Sequence, residues 1–101
     1  MKKILLICGT GASSGFIASN VRKAAKERGL DYEIIARSDS ALDDYIEDVS
    51  LLLVAPHLSY MLGEVEDTAK DYNVPVKMIP KEYYGTMNGE AIVDLIQENI
   101  G

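Results

Sequence analysis

Apolar residues gather into four short runs along the chain, at residues 4–7 (ILLI), 32–36 (YEIIA), 51–55 (LLLVA) and 74–79 (VPVKMI). The first and third show almost no alternation, the pattern expected of parallel strands covered on both faces. The second is more mixed and suits a strand nearer an edge. Pro75 removes a ladder donor from the fourth, so it belongs at the first residue of its strand or on an edge.

Each run is followed by a segment of helical period. Phe16, Ile17, Val21, Ala24 and Ala25 share one face, with Arg22, Lys23, Lys26 and Arg28 mostly turned to water and Gly29 placed as a C-cap. The segment SDSALDDYIEDV opens with capping residues and sets Leu42, Tyr45, Ile46 and Val49 at helical spacing. Tyr60, Met61, Val65, Thr68, Ala69 and Tyr72 give a third helix ending near Asn73 and Pro75. Asn88 caps a fourth, GEAIVDLIQENI, with Ile92, Leu95, Ile96 and Ile100 inward.

A β-α unit repeated four times, with right-handed crossovers, places helices on both faces of a four-stranded parallel sheet. The expectation is an α/β fold with strand order 2-1-3-4, as a single domain over residues 1–101. Glycines at 9 and 11 cut the first apolar run below the core of a signal peptide, so it reads as a mature start. No run approaches bilayer length. One cysteine excludes an internal disulfide, which fits a reducing cytosol. The net charge of −6 argues against a nucleic-acid backbone or an anionic lipid surface as the main partner.

In open α/β sheets ligands bind beyond the carboxyl ends of the strands, and CGTGASSG (residues 8–15) holds that position after the first strand. Gly9, Gly11 and Gly15 permit the positive φ angles and close approach that a phosphate cradle requires, with Ala12 between them. Thr10, Ser13 and Ser14 add hydroxyls, and the start of the following helix adds N–H donors and its dipole. A thiolate at Cys8 is stabilised by the same donors, so its pKa is expected below about 8.5. From the loop alone two readings stand: a phosphate-handling cysteine, or a small buried apolar residue in an ordinary glycine-rich turn.

Familiar phosphate loops do not fit. A Walker A loop needs a lysine that this stretch lacks, and G-x-G-x-x-G needs a glycine where Ser14 stands. The cysteine phosphatases use C-x-x-x-x-x-R, and Ser14 again occupies the arginine position. Without that guanidinium the loop loses bidentate neutralisation of the transition state, and it should hold a phosphate longer than it hydrolyses it. The Asp-Pro pair of those enzymes is absent too.

The stretches MKKILLICGTGASSGFIASNVRKAA, LDDYIEDVSLLLVAPHLSYML and VPVKMIPKEYYGTMNGEAIVDLI resemble the enzyme IIB components of the bacterial sugar phosphotransferase system, in the lactose/cellobiose/chitobiose group. The resemblance covers nearly the whole chain. It implies a four-stranded parallel sheet with a phosphatase-like first loop and a phosphorylated residue at Cys8, cradled by Gly9, Thr10, Gly11, Ala12, Ser13, Ser14 and Gly15. It further implies a phosphohistidine donor on a IIA protein and delivery to a sugar, a β-linked disaccharide, held by the membrane-embedded IIC. The chain would be cytoplasmic and peripheral to the membrane through IIC, without inserting into it, and would need no metal or organic cofactor. Ala55 before Pro56 departs from the Gly-Pro expected in many relatives. The rivals are a hydrolase like the low-molecular-weight cysteine phosphatases and a non-catalytic anion-binding module.

Pro56, His57 and Tyr84 fall on the same edge. His57, the only histidine, follows Pro56 after the third strand and reads either as a base or partner contact or as a plain surface residue. Tyr84 follows the fourth strand, where its hydroxyl would reach the phosphate or its ring simply pack over the loop. Tyr60 and Met61 in LSYML read more readily as core than as a docking patch. Neither a Cys/His cluster of metal spacing nor a supported Ser-His-Asp set is present.

Overall fold

The computed structural model describes residues 2–8 and 13–100, with only the backbone of Ser13 and Ser14. The strands are β1 (Lys2–Ile7), β2 (Tyr32–Arg37), β3 (Leu51–Val54) and β4 (Val76–Met78). They form one parallel sheet of order β2-β1-β3-β4, as expected from the alternation of strand and helix patterns. The two central strands carry the two unbroken apolar runs, and the mixed second run is an edge. The helices are α1 (Ser13–Glu27), α2 (Leu42–Tyr45), α3 (Leu62–Lys70), α4 (Lys81–Gly85) and α5 (Gly89–Ile100). Among the described residues no helix is long and apolar enough to cross a membrane.

The pleat sorts the core into two layers. Ile4, Leu6 and Cys8 share one with Ile34, Leu51, Leu53 and Ala55, against Ile17, Val21 and Ala24 of α1 and Ile92, Val93 and Ile96 of α5. Leu5, Ile7, Leu52 and Val54 face the other way, onto Leu42, Ile46, Val65 and Ala69. Successive side chains of a strand point to opposite faces, so a central strand with both faces covered must be apolar throughout.

Several caps fall where the sequence placed them. Gly29 has φ +71° and closes α1, with Leu30 N–H donating to Ala25 O (2.9 Å). Asn88 Oδ1 accepts from Ala91 N–H (3.1 Å) at the start of α5. The free edge of β2 is also closed. Its outward carbonyls at Ile34 and Ala36 accept from Arg22 Nη2 (2.8 Å) and Arg37 Nη1 (2.7 Å) respectively, which protects the ladder groups that an edge strand leaves open.

Other expectations need correction. The fourth strand covers only 76–78, shorter than the run 74–79, while Pro75 stands at its start on the sheet edge as expected, its carbonyl accepting from Leu52 N–H (3.0 Å). Residues 39–48 form a single α turn between two 3₁₀ turns. Ser38 makes no side-chain cap there, its hydroxyl pairing with that of Ser40 (2.8 Å) instead. The third helix begins at Leu62, because a 3₁₀ stretch over Pro56–Met61, broken at Leu58 (φ −102°, ψ 19°), shifts the helical phase. Tyr60 is thereby 80% exposed rather than core. Phe16 is 63% exposed, lying about 100° around α1 from Ile17.

Candidate functional site

Three backbone bonds extend the ladder by one residue and set the carboxyl edge of the sheet. Cys8 N–H donates to Arg37 O (3.1 Å), Ala55 N–H to Ile7 O (2.9 Å), and Ile79 N–H to Val54 O (2.8 Å). Cys8, Ala55 and Ile79 thus end adjacent strands. Pro56 and His57 follow the second of these, and Pro80 and α4 follow the third.

Cys8 is 1% exposed and lies in the layer under α1 and α5. The helix start expected to serve it is present, since α1 opens at Ser13. Gly9, Thr10, Gly11 and Ala12, and the side chains of Ser13 and Ser14, lie outside the described residues. Gly15 sits inside the first turn of α1 without a positive φ, and among the described residues a Cβ there would meet nothing within 4 Å. Its glycine is therefore not demanded by the turn geometry assumed from the sequence.

The structure brings Tyr84 to the cysteine. Its hydroxyl acts on the Cys8 thiol, lowering its titration, and its ring meets His57 edge-on, 5.4 Å between centroids at 63°. Pro56, His57, Lys81, Tyr84 and Gly85 line a hollow of about 450 Å³. Lys81 was not singled out from the sequence. The available signal was its spacing three residues before Tyr84, which puts both on one face only if the segment is helical; α4 makes it so.

Burial raises the Cys8 thiol above its ordinary value of 9.0, and the Tyr84 hydroxyl offsets part of the rise. This direction is opposite to the depressed value expected from the helix start. Desolvation disfavours the charged sulfur and here outweighs the donor. The protonated thiol is the form that folding favours. Its contribution to stability is therefore complete below the unfolded value and is lost as pH rises through the folded one. Replacing Tyr84→Phe is expected to move thiolate formation to still higher pH. An ultraviolet titration of the thiolate measures it, and an unmoved or lowered midpoint would contradict the contact.

The other strand-end cation is engaged elsewhere. Arg37 stacks 5.0 Å from the centroid of Tyr45 and donates from Nε to its hydroxyl (3.0 Å). With Ser14 at the phosphatase arginine position, the described residues offer no guanidinium clamp for a phosphate at Cys8.

Comparison with known proteins places the chain in a family. The family model for "PTS system, Lactose/Cellobiose specific IIB subunit" matches residues 3–95. The chain is similar to the galactose-specific EIIB component of the phosphotransferase system of Lactococcus lactis subsp. cremoris, at 35% identity over 91% of this chain and 90% of the relative. It is 30% identical to the lactose-specific EIICB component of Lacticaseibacillus casei, over 96% of this chain but 17% of that longer protein. The solution structure of a cellobiose-specific phosphotransferase IIB component from Borrelia burgdorferi superposes with a TM-score of 0.81 at 28% identity, covering 98% of this chain and 91% of that one.

Proposed function

Since the chain belongs to the lactose/cellobiose-specific IIB family of the sugar phosphotransferase system, with its role in phosphoryl transfer during sugar transport, we propose that Cys8 is the residue that carries the phosphoryl group. The observation that carries this reading is the seating of Cys8. It is the one cysteine of the chain, held at the carboxyl edge of a central strand, under a tyrosine hydroxyl and just ahead of a helix start.

Two transfers follow. In the first, Sγ attacks the phosphorus of a phosphohistidine on a IIA protein; the S–P bond forms as the N–P bond breaks. The proton leaving the thiol ends on the imidazole nitrogen that has lost phosphorus, so charge and atoms balance without a separate base. This suits a thiol that burial keeps protonated at rest. The Tyr84 hydroxyl holds the sulfur and eases the build-up of charge on it, and Gly9, Thr10, Gly11, Ala12, Ser13, Ser14 and Gly15 are proposed to cradle the phosphate. In the second, a sugar hydroxyl attacks the phosphorus, the S–P bond breaks, and the sulfur takes up the proton the hydroxyl gives.

The sugar is proposed to be a β-linked disaccharide presented by a membrane IIC protein. The fused architecture named in the Lacticaseibacillus casei relative supports IIC as a partner, and with it a cytoplasmic site of action at the membrane face. Residues 1–101 act as one IIB-type domain in this reading. A phosphatase-like hydrolase is disfavoured by Ser14 and by the engagement of Arg37 with Tyr45.

The test is the intact mass of the protein after incubation with phosphoenolpyruvate, the two general phosphotransferase proteins and a IIA of the lactose/cellobiose group. A gain of one phosphate, mapped to the Cys8 peptide, is expected. No gain with several such IIA proteins would move the reading to an anion-binding module.

A further inference from the structure

The transfer chemistry leaves Lys81 without a role. A phosphoryl group brings nearly two negative charges to a cysteine in an apolar layer. The arginine that clamps such a group in the phosphatases is replaced by Ser14. Arg37 is committed to Tyr45 and to the Ala36 carbonyl. Lys81 opens α4 one turn before Tyr84, and both line the same hollow of about 450 Å³. Among the described residues its ammonium has no carboxylate within ion-pair distance. A flexible four-carbon stem with three donors can follow a phosphate that arrives and leaves.

We infer that Lys81 and the Pro56–His57–Tyr84 hollow form a subsite for the phosphoryl group bound to Cys8, with the Lys81 ammonium on its oxygens. The inference rests on Cys8 as the carrier. The ligand chemistry is a phosphate monoester of the thiol. Tyr84 touches the sulfur from one end of the α4 face, and Lys81 meets the phosphate oxygens from the other. The role is electrostatic and makes no covalent bond. It favours the phosphorylated state over the free thiol, which carries no charge for the lysine to meet. The lysine also supplies in part the neutralisation that the missing arginine would give.

The partition of phosphate between a phosphorylated IIA protein and this chain, read by intact mass at several ratios, tests it. Lys81→Gln is expected to move that partition about tenfold towards IIA, as loss of one charge-assisted contact at an accessible site implies. Lys81→Arg is expected to restore most of it. Melting temperature should stay at the wild-type value in both variants, because the lysine acts on the phosphate and not on the fold. An unchanged partition in Lys81→Gln overturns the subsite. Equal losses in the Gln and Arg variants also overturn it, since a structural role would produce them. If the wild type takes up no phosphate, Cys8 as carrier fails first, and that outcome is visible before any variant is compared.

Discussion

Cys8→Ser is expected to take up no phosphate under conditions in which the wild type gains one. The substitution exchanges sulfur for oxygen at nearly constant shape, so the loss tests chemistry rather than folding. A thiol is nucleophilic through a sulfur whose ordinary titration value of 9.0 lies far closer to neutrality than that of a hydroxyl. At a site where burial already opposes charge, the hydroxyl has no compensating source of activation. The shorter bond to oxygen also draws the attacking atom back from the Tyr84 hydroxyl and from any group placed for the longer sulfur. The fold should persist. Cys8 occupies one position in a layer that includes Ile4, Leu6, Ile17, Leu53 and Ile92, and a buried hydroxyl that keeps one partner costs about 1–2 kcal/mol at most. A melting curve near that of the wild type, with the mass gain gone, is the expected pair of results. Continued uptake by the serine variant would place the phosphoryl group on another residue. His57 would be the first to examine.

How far the sequence carried this site depended on which physical signal each residue left. The unbroken apolar runs at 4–7 and 51–55 report two-sided burial, and so they located the central strands and, with them, the edge on which Cys8 lies. Caps were legible at Gly29 and Asn88 because those residues act locally. Phase was less so. Periodicity identifies a helical face only once the first residue of the helix is known. The 3₁₀ stretch over Pro56–Met61 therefore moved Tyr60 from expected core to exposed surface. Helix α4 has five residues, too few for a period to show, and without it Lys81 and Tyr84 do not share a face. The direction of the Cys8 shift is not legible in the sequence for a related reason. Glycines and a helix start are visible in sequence, whereas the depth to which flanking helices bury a strand end is set by long-range packing.

Gly89→Ala is expected to be the most damaging single-methyl change in the α1–α5 layer, costing about 2–3 kcal/mol as an overpacked contact between rigid elements. A Cβ at position 89 would stand 2.4 Å from Asn20 O, 2.5 Å from Asn20 C and 3.0 Å from Val21 N. All three are backbone atoms in the middle of α1, so no side-chain rotation relieves the clash. The two helices must separate, opening the packing of Ile17 and Val21 against Ile92 and Val93. Separation also strains the hydrogen bond from Asn20 Nδ2 to Met87 O (3.0 Å), which holds the turn where Met87 adopts φ +51°. The gain in helix propensity from alanine, at most about 1 kcal/mol and less in a first turn, does not offset this. For a domain of this size the melting temperature should fall by roughly 10–20 °C. Gly63→Ala provides the contrast, since it lies in the first turn of α3 with no described atom within 4 Å of its Cβ position; there propensity alone acts, and stability should rise slightly, by at most about 0.5 kcal/mol. Scanning calorimetry of the two variants separates backbone approach from loss of glycine as such. Equal melting of Gly89→Ala and wild type would mean that α1 and α5 can part without cost. The start of α1 would then be no fixed platform for a phosphate at Cys8.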